Sequence, residues 1–354
     1  MSLSIGIVGL PNVGKSTLFN ALTKKQAEAA NFPFCTIDPN IGIVNVPDGR
    51  LEKLAEVSKP KKIIPTVIKF IDIAGIVKGA HKGEGLGNKF LSHIRECDAI
   101  CEVVRDFEND NIIHVDGKIN PESDRETINL ELIFADLQTV ENRLVRVSKE
   151  ARSGDKKLIK QKDFLEKIKK ALENGKAIRE LEFNDDEKVF LKEFNFLTVK
   201  PIIYVLNISN NNDKSVDKNW DGSVIKIDAK IEEEISRLSD DEQKEYIKEL
   251  GLDESGLDKL IKTSYELLGL ITFLTTGHEE TRAWTIKKGA KAPQAAGVIH
   301  TDFEKGFIRA EIINWKKFIE SGGEQVAREK GFIRTEGKDY TMQDGDVCHF
   351  LFSK

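Results

Sequence analysis

The chain has 354 residues, 40% of them hydrophobic and 32% charged, with a formal net charge of −5 at pH 7. This length leaves room for two or three domains, and this balance excludes an intrinsically disordered chain. The charge argues against a uniformly basic polyanion binder, and no apolar run approaches the roughly 18 residues of a membrane span.

Met1 to Leu10 is apolar but runs straight into a glycine-rich loop, so it reads as structure and not as a signal peptide. Cys35, Cys97, Cys101 and Cys348 follow no metal or disulfide spacing. They read as reduced core thiols of a cytoplasmic protein.

Ser4 to Val8 is a short β-branched run, predicted as a strand that ends at Gly9. Residues 9–17 then read Gly-Leu-Pro-Asn-Val-Gly-Lys-Ser-Thr, and Thr17 to Leu22 is helix-forming. Strand, glycine loop and helix in that order are the context of a phosphate-binding loop. Its glycines let successive N–H groups turn toward phosphate oxygens. The positive end of the helix faces the same anion. Asn12, Val13, Gly14, Lys15, Ser16 and Thr17 are the expected phosphate-binding residues. Lys15 brings a point charge to the outer phosphates and counts as catalytic, while Ser16 offers its hydroxyl to Mg2+.

Further along, Thr36 lies in Asn-Phe-Pro-Phe-Cys-Thr-Ile-Asp-Pro and is the candidate to complete the Mg2+ shell. Ile64 to Ile73 reads as a strand ending in Asp72-Ile73-Ala74-Gly75. Asp72 can reach the Mg2+ shell, and the Gly75 N–H can meet the γ-phosphate. Gly79, Gly83, Gly85 and Gly87 follow, the composition of a segment that orders on a γ-phosphate. Where many P-loop GTPases place a water-orienting Gln, this chain has Ile76, which cannot hydrogen-bond water. Hydrolysis then needs another group, a bound cation such as K+, or a partner.

Leu130, Ile133, Leu137, Val140, Leu144 and Val147 form an apolar seam at coiled-coil spacing. Ser153-Gly154-Asp155 breaks it, and Leu158, Leu165, Ile168 and Leu172 resume it. An antiparallel helical hairpin is the natural reading. Its lysines, Lys156 through Lys170, offer a face to RNA or simply to solvent.

Pro201 to Leu206 is a buried-strand pattern that ends in Asn207-Ile208-Ser209-Asn210. In GTP-selective proteins the matching segment is Asn-Lys-x-Asp, whose carboxylate accepts two hydrogen bonds from guanine. Asn210 cannot accept both, and Ile208 stands in place of the lysine. The expectation is relaxed or adenine-leaning specificity, with Asn207, Ile208 and Asn210 around the base. Ile227-Asp228-Ala229-Lys230 ends a further strand and is expected to bring backbone N–H groups there. From about Gly269 onward, short strands and turns predict a small mixed module.

The blocks at 9–24, 31–40, 72–88, 107–115 and 282–312 together make the sequence resemble the YchF/Obg-like ATPases nearly end to end. The resemblance implies an α/β P-loop NTPase domain with a mostly parallel sheet, an inserted α-helical coiled-coil arm and a C-terminal ubiquitin-like (β-grasp) TGS domain. The expected boundaries are 1–128 with 200–268, then 129–199, then 269–354. The resemblance further implies ATP in preference to GTP, and binding to the ribosome, with the large subunit as the expected site, through protein and rRNA. A hydrophobic residue at the Ile76 position is also a family trait, and His114 falls in a matching block as a hydrolysis residue. Asn210 stands where the family usually has Glu, which leaves GTP open as a second substrate. Two classes of function remain: an ATPase whose turnover is the output, and a nucleotide-gated switch for which hydrolysis is the reset. A GTP-specific switch is the alternative on nucleotide identity.

Overall fold

The computed structural model describes residues 3–24, 40–73, 86–109, 119–209 and 220–353. The chain begins with β1 (Ser4–Val8) and α1 (Lys15–Lys24), followed by β2 (Ile41–Asn45), α2 (Gly49–Ser58), β3 (Lys62–Ile64) and β4 (Val67–Asp72). Next come α3 (Leu86–Glu96), β5 (Ala99–Asp106) and three helices, α4 (Pro121–Glu150), α5 (Lys156–Glu173) and α6 (Asp185–Phe194). The chain continues through β6 (Ile202–Ile208), β7 (Ser223–Ile227), α7 (Ala229–Ile235), α8 (Asp240–Glu249) and α9 (Gly256–Leu267). Beyond these are β8 (Leu270–Thr276), β9 (Glu280–Lys287), α10 (Ala292–Ile299) and α11 (Thr301–Lys305). It closes with β10 (Phe307–Asn314), α12 (Trp315–Ser321), α13 (Glu324–Glu329), β11 (Arg334–Glu336) and β12 (Asp346–Phe352).

The first sheet has the order β2-β4-β1-β5-β6-β7, and β4, β1, β5, β6 and β7 run parallel. Every residue of β1 is buried, and β5 and β6 are buried up to their last residue. Strands covered on both faces read as continuous apolar runs, which is why 4–8 and 201–206 stand out in the sequence. Parallel strands also bring their carboxyl ends to one edge, where ligands of such sheets bind.

The predicted hairpin forms as α4 and α5. Gly154 connects them in the left-handed region (φ 83°), and Asp155 caps α5 by accepting the Lys157 N–H at 2.7 Å. Ile133, Val140, Val147, Leu165, Ile168 and Leu172 are buried in its core, as the seam requires. Leu130 departs from the seam and stays 44% exposed. The hairpin is also not bare. Phe164 packs against Phe183, Phe190 and Phe194, so α6 and its flanks complete the cluster. Lys160, Lys162, Lys167 and Lys169 pair with Asp186, Glu166, Glu187 and Glu141, so much of the expected basic face is neutralised locally.

The second sheet has the order β11-β10-β12-β8-β9-β3. Its inner faces alternate along each strand, as the two-residue period demands. Phe273, Ile286, Ala310, Ile312 and Phe350 meet Ala292, Ala295 and Ala296 of α10. Leu274, Ala283, Ile313 and Val347 meet Leu51 and Leu54 of α2 and Phe318 of α12. Ile43–Ile68 therefore belong to the same compact unit as Leu260–Lys354. The sequence reading kept residues 1–128 together. The difference arises because β3 pairs with β9 and α2 covers the second sheet, contacts more than 200 residues apart in sequence.

Candidate functional site

A cleft of about 780 Å³ opens at the carboxyl edge of the first sheet. That lies within the range of roughly 300–1,000 Å³ usual for small-molecule sites. Four segments line it: residues 12–17 after β1, 107–109 after β5, 207–209 at the end of β6, and 228–234 through α7.

The loop after β1 is built by backbone conformation. Gly9 has φ 157°, Asn12 φ 64° and Gly14 φ 97°, so the chain turns sharply before α1. The Leu18 N–H donates to the Gly14 carbonyl at 3.0 Å, the first bond of the helix. The first N–H groups of α1 have no intrahelical acceptor, which gives this helix end its anion-binding capacity. Lys15 Nζ donates to the carbonyls of Gly9 at 3.0 Å and Leu10 at 2.9 Å, folding over its own loop.

Lys15 and Asp72 affect one another. Burial lowers the Lys15 pKa, and the Asp72 charge partly restores it. Burial raises the Asp72 carboxyl, and the Lys15 charge opposes that rise. Each charge is felt by the other because β1 and β4 end side by side, with Ile7 and Asp72 as register partners.

Asn207 is the structural centre of the cleft. It is 5% exposed, its amide donates to the Val13 carbonyl at 2.9 Å, and its side-chain oxygen accepts the Ala229 N–H at 3.1 Å. The Lys230 and Ile231 N–H groups both donate to Asp228 Oδ1 at 3.1 Å. Asn207, expected beside the base, lines the cleft and also ties the phosphate loop to α7, and its amide nitrogen carries a second N–H beyond the one given to Val13. The Ala229 and Lys230 N–H groups, expected to reach a base, donate to Asn207 and Asp228.

Of the other expected residues, Asn12, Gly14, Lys15, Ser16, Thr17 and Ile208 line the cleft, while Val13 is buried beneath it. Thr36, Gly75, Ile76, His114 and Asn210 lie outside the described residues.

Residues 4–138 match a family model described as a 50S ribosome-binding GTPase. Residues 270–353 match the YchF-GTPase C-terminal model, described as a protein of unknown function (DUF933). The "Ribosome-binding ATPase YchF" of Bacillus subtilis (strain 168) is 56% identical over 365 residues, covering 100% of both chains. This chain belongs to the YchF family. The protein of the same name from Escherichia coli O157:H7 is 54% identical over 362 residues, again covering 100% of both. The solved "Structure of the Schizosaccharomyces pombe YchF GTPase" superposes with a TM-score of 0.89 at 39% identity, covering 99% of this chain and 98% of that one. A P-loop NTPase domain with a mostly parallel sheet is therefore the fold of this YchF chain, and it is a nucleotide hydrolase.

Sequence reasoning assigned no role to Phe107, Glu108 and Asn109, which form one wall of the YchF cleft. The block 107–115 carried the resemblance, but its composition names no chemistry. Cys97 and Cys101, expected as core thiols, are buried, and burial pushes them up to about 11 and about 12.

Proposed function

We propose that this chain hydrolyses ATP with Mg2+ and works as a nucleotide-gated switch on the ribosome. The observation that carries the hydrolytic part is the Lys15 loop lining a cleft of nucleotide size, with Asp72 at the end of the adjacent strand β4. Ser16 and Asp72 are hard oxygen donors of the kind Mg2+ takes, and they are the residues that would hold it. The ion, when bound, neutralises phosphate charge. Lys15 leaves the loop carbonyls and moves its ammonium to the outer phosphates. The N–H groups of Gly14 through Thr17 orient the chain of phosphates. Thr36, Gly75 and His114 are proposed for the Mg2+ shell, the γ-phosphate contact and the attacking water, and K+ is the candidate second cation.

The preference for adenine rests on the occupied N–H groups. Guanine presents a carbonyl oxygen at its six position and needs a donor there. The Ala229, Lys230 and Ile231 N–H groups are already spent, so a guanine carbonyl would have to displace Asn207 or Asp228. Adenine presents an amino group instead and makes no such demand. The bacterial relatives are named ATPases and the fission-yeast relative a GTPase.

The ribosome enters from the relatives' names and from the lysines and arginine at 287, 288, 291, 305 and 309, the proposed rRNA-facing set on the large subunit. Lys291 is held by Asp339 at 2.8 Å, which leaves the other four as the better candidates. The test is a parallel titration of ATP and GTP with Mg2+, with turnover measured with and without ribosomes. Tighter ATP binding and hydrolysis accelerated by ribosomes are expected. Tighter GTP binding overturns the base reading, and fast turnover indifferent to ribosomes overturns the switch.

A further inference from the structure

The described residue with the largest fully buried side chain is an arginine, Arg105, only 1% exposed at the end of β5. Burying a guanidinium is costly unless its donors are used. Arg105 Nε donates to the Phe107 carbonyl at 3.1 Å and Nη2 to the Asn109 carbonyl at 3.5 Å. Its guanidinium also lies 4.5 Å from the centre of the Phe107 ring. One side chain thereby grips residues 107 and 109 together.

What it grips is a wall of the nucleotide cleft. Phe107, Glu108 and Asn109 line the cleft yet belong to no helix or strand. The segment continues past the end of β5, and Arg105 gives two of its carbonyls a buried donor. Arg105 is also the register partner of Asn207 across β5 and β6. Adjacent strands therefore end in two braces: Asn207 sets the phosphate loop and α7, and Arg105 sets the wall between them.

We infer that Arg105 is a positioning residue for nucleotide binding, holding the 107–109 wall against the nucleoside end of the ligand. Strand order gives the location. β5 lies between β1, which carries the phosphate loop, and β6, which carries the base segment. The continuation of β5 thus lies on the nucleoside side of the phosphate loop and away from the outer phosphates. The inference rests on the nucleotide-hydrolase reading and deepens it.

The test uses Arg105→Lys in the full chain. Lysine keeps the charge but cannot present two N–H groups in one rigid fork. Phe107→Leu is the second variant, which keeps the fork and removes the ring. Affinities for a fluorescent ATP analogue and for inorganic tripolyphosphate are measured with Mg2+, together with thermal melting. Arg105→Lys is expected to bind the ATP analogue roughly tenfold more weakly, the scale of losing a charge-assisted hydrogen bond. Tripolyphosphate affinity should stay near wild type even where the melting temperature falls, because a buried lysine leaves a carbonyl short of its donor. Phe107→Leu should weaken the analogue in the same selective way, and the double variant should add little. An unchanged ratio of the two affinities in both single variants overturns the inference, as does an equal loss of both ligands with a lowered melting temperature. If the wild-type chain binds neither ligand, the nucleotide reading itself has failed, a result separate from any variant's behaviour.

Discussion

A Cβ atom added to Gly14 would lie 2.2 Å from the amide nitrogen of Asn207. Two residues nearly 200 positions apart thus fix each other's identity. Asn207 reaches past Gly14 to the Val13 carbonyl, and only a residue without a side chain leaves it room.

Gly14→Ala is expected to lose nucleotide binding and stability together. The φ of 97° alone costs a side-chain-bearing residue about 1–3 kcal/mol, before the clash with Asn207 is counted. Thermal melting alongside ATP titration checks this. A variant that melts and binds like wild type would remove the close approach as an explanation.

Asn207→Ala leaves the Val13 carbonyl and the Ala229 N–H without their partner. Each unpaired buried group costs roughly 1–3 kcal/mol. Asn207→Asp keeps the acceptor but turns a carboxylate toward the Val13 carbonyl, so it should be at least as damaging. Urea unfolding of the two variants gives the order.

Lys15→Ala should lower the hydrolysis rate by about 10²–10³-fold, the scale of removing one preorganised electrostatic contact at a transferring phosphoryl group. It should not unfold the chain, because the side chain's own bonds are to its loop. Single-turnover hydrolysis at saturating nucleotide is the measurement. A rate within a few-fold of wild type would show that another group carries that charge.

Glu102 on β5 is fully buried, and neither carboxyl oxygen has a hydrogen-bond partner among the described residues. Burial pushes its carboxyl well above the usual 4.5, more than Arg179 and Arg125 pull it down. A carboxyl raised on folding stabilises fully below its unfolded pKa, and that contribution is lost as pH rises through the folded pKa. Wild type should therefore lose stability relative to Glu102→Gln as pH is raised from 4.5 through neutrality. Melting curves of both proteins across that window decide it, and a constant difference between them would mean that folding does not raise this carboxyl.

Phe164→Ala in the arm should cost about 3–5 kcal/mol, since it empties a site shared with three other phenylalanine rings. ATP affinity at a temperature where the variant stays folded should be unchanged, because no residue of that cluster lines the cleft.

The sequence by itself determined what short-range chemistry dictates. Gly9, Gly14, Lys15 and Ser16 specify a strand–loop–helix phosphate turn because the glycines permit it and the helix end completes it. The seam from Ile133 to Leu172 specifies a hairpin because its spacing matches the helical period. Tertiary structure decided everything that depends on which strands end side by side. Register across β5 and β6 brings Arg105 beside Asn207. Asn207 is legible in the sequence only as an asparagine in a degenerate base motif, and no sequence pattern marks Arg105. Asn207 proved to be a brace because Val13 and Ala229, far apart in the sequence, arrive together to satisfy it. The allocation of Ile43–Ile68 to the second sheet has the same cause. A three-residue strand such as β3 carries too little pattern to announce a partner more than 200 residues away, and only the folded sheet supplies one.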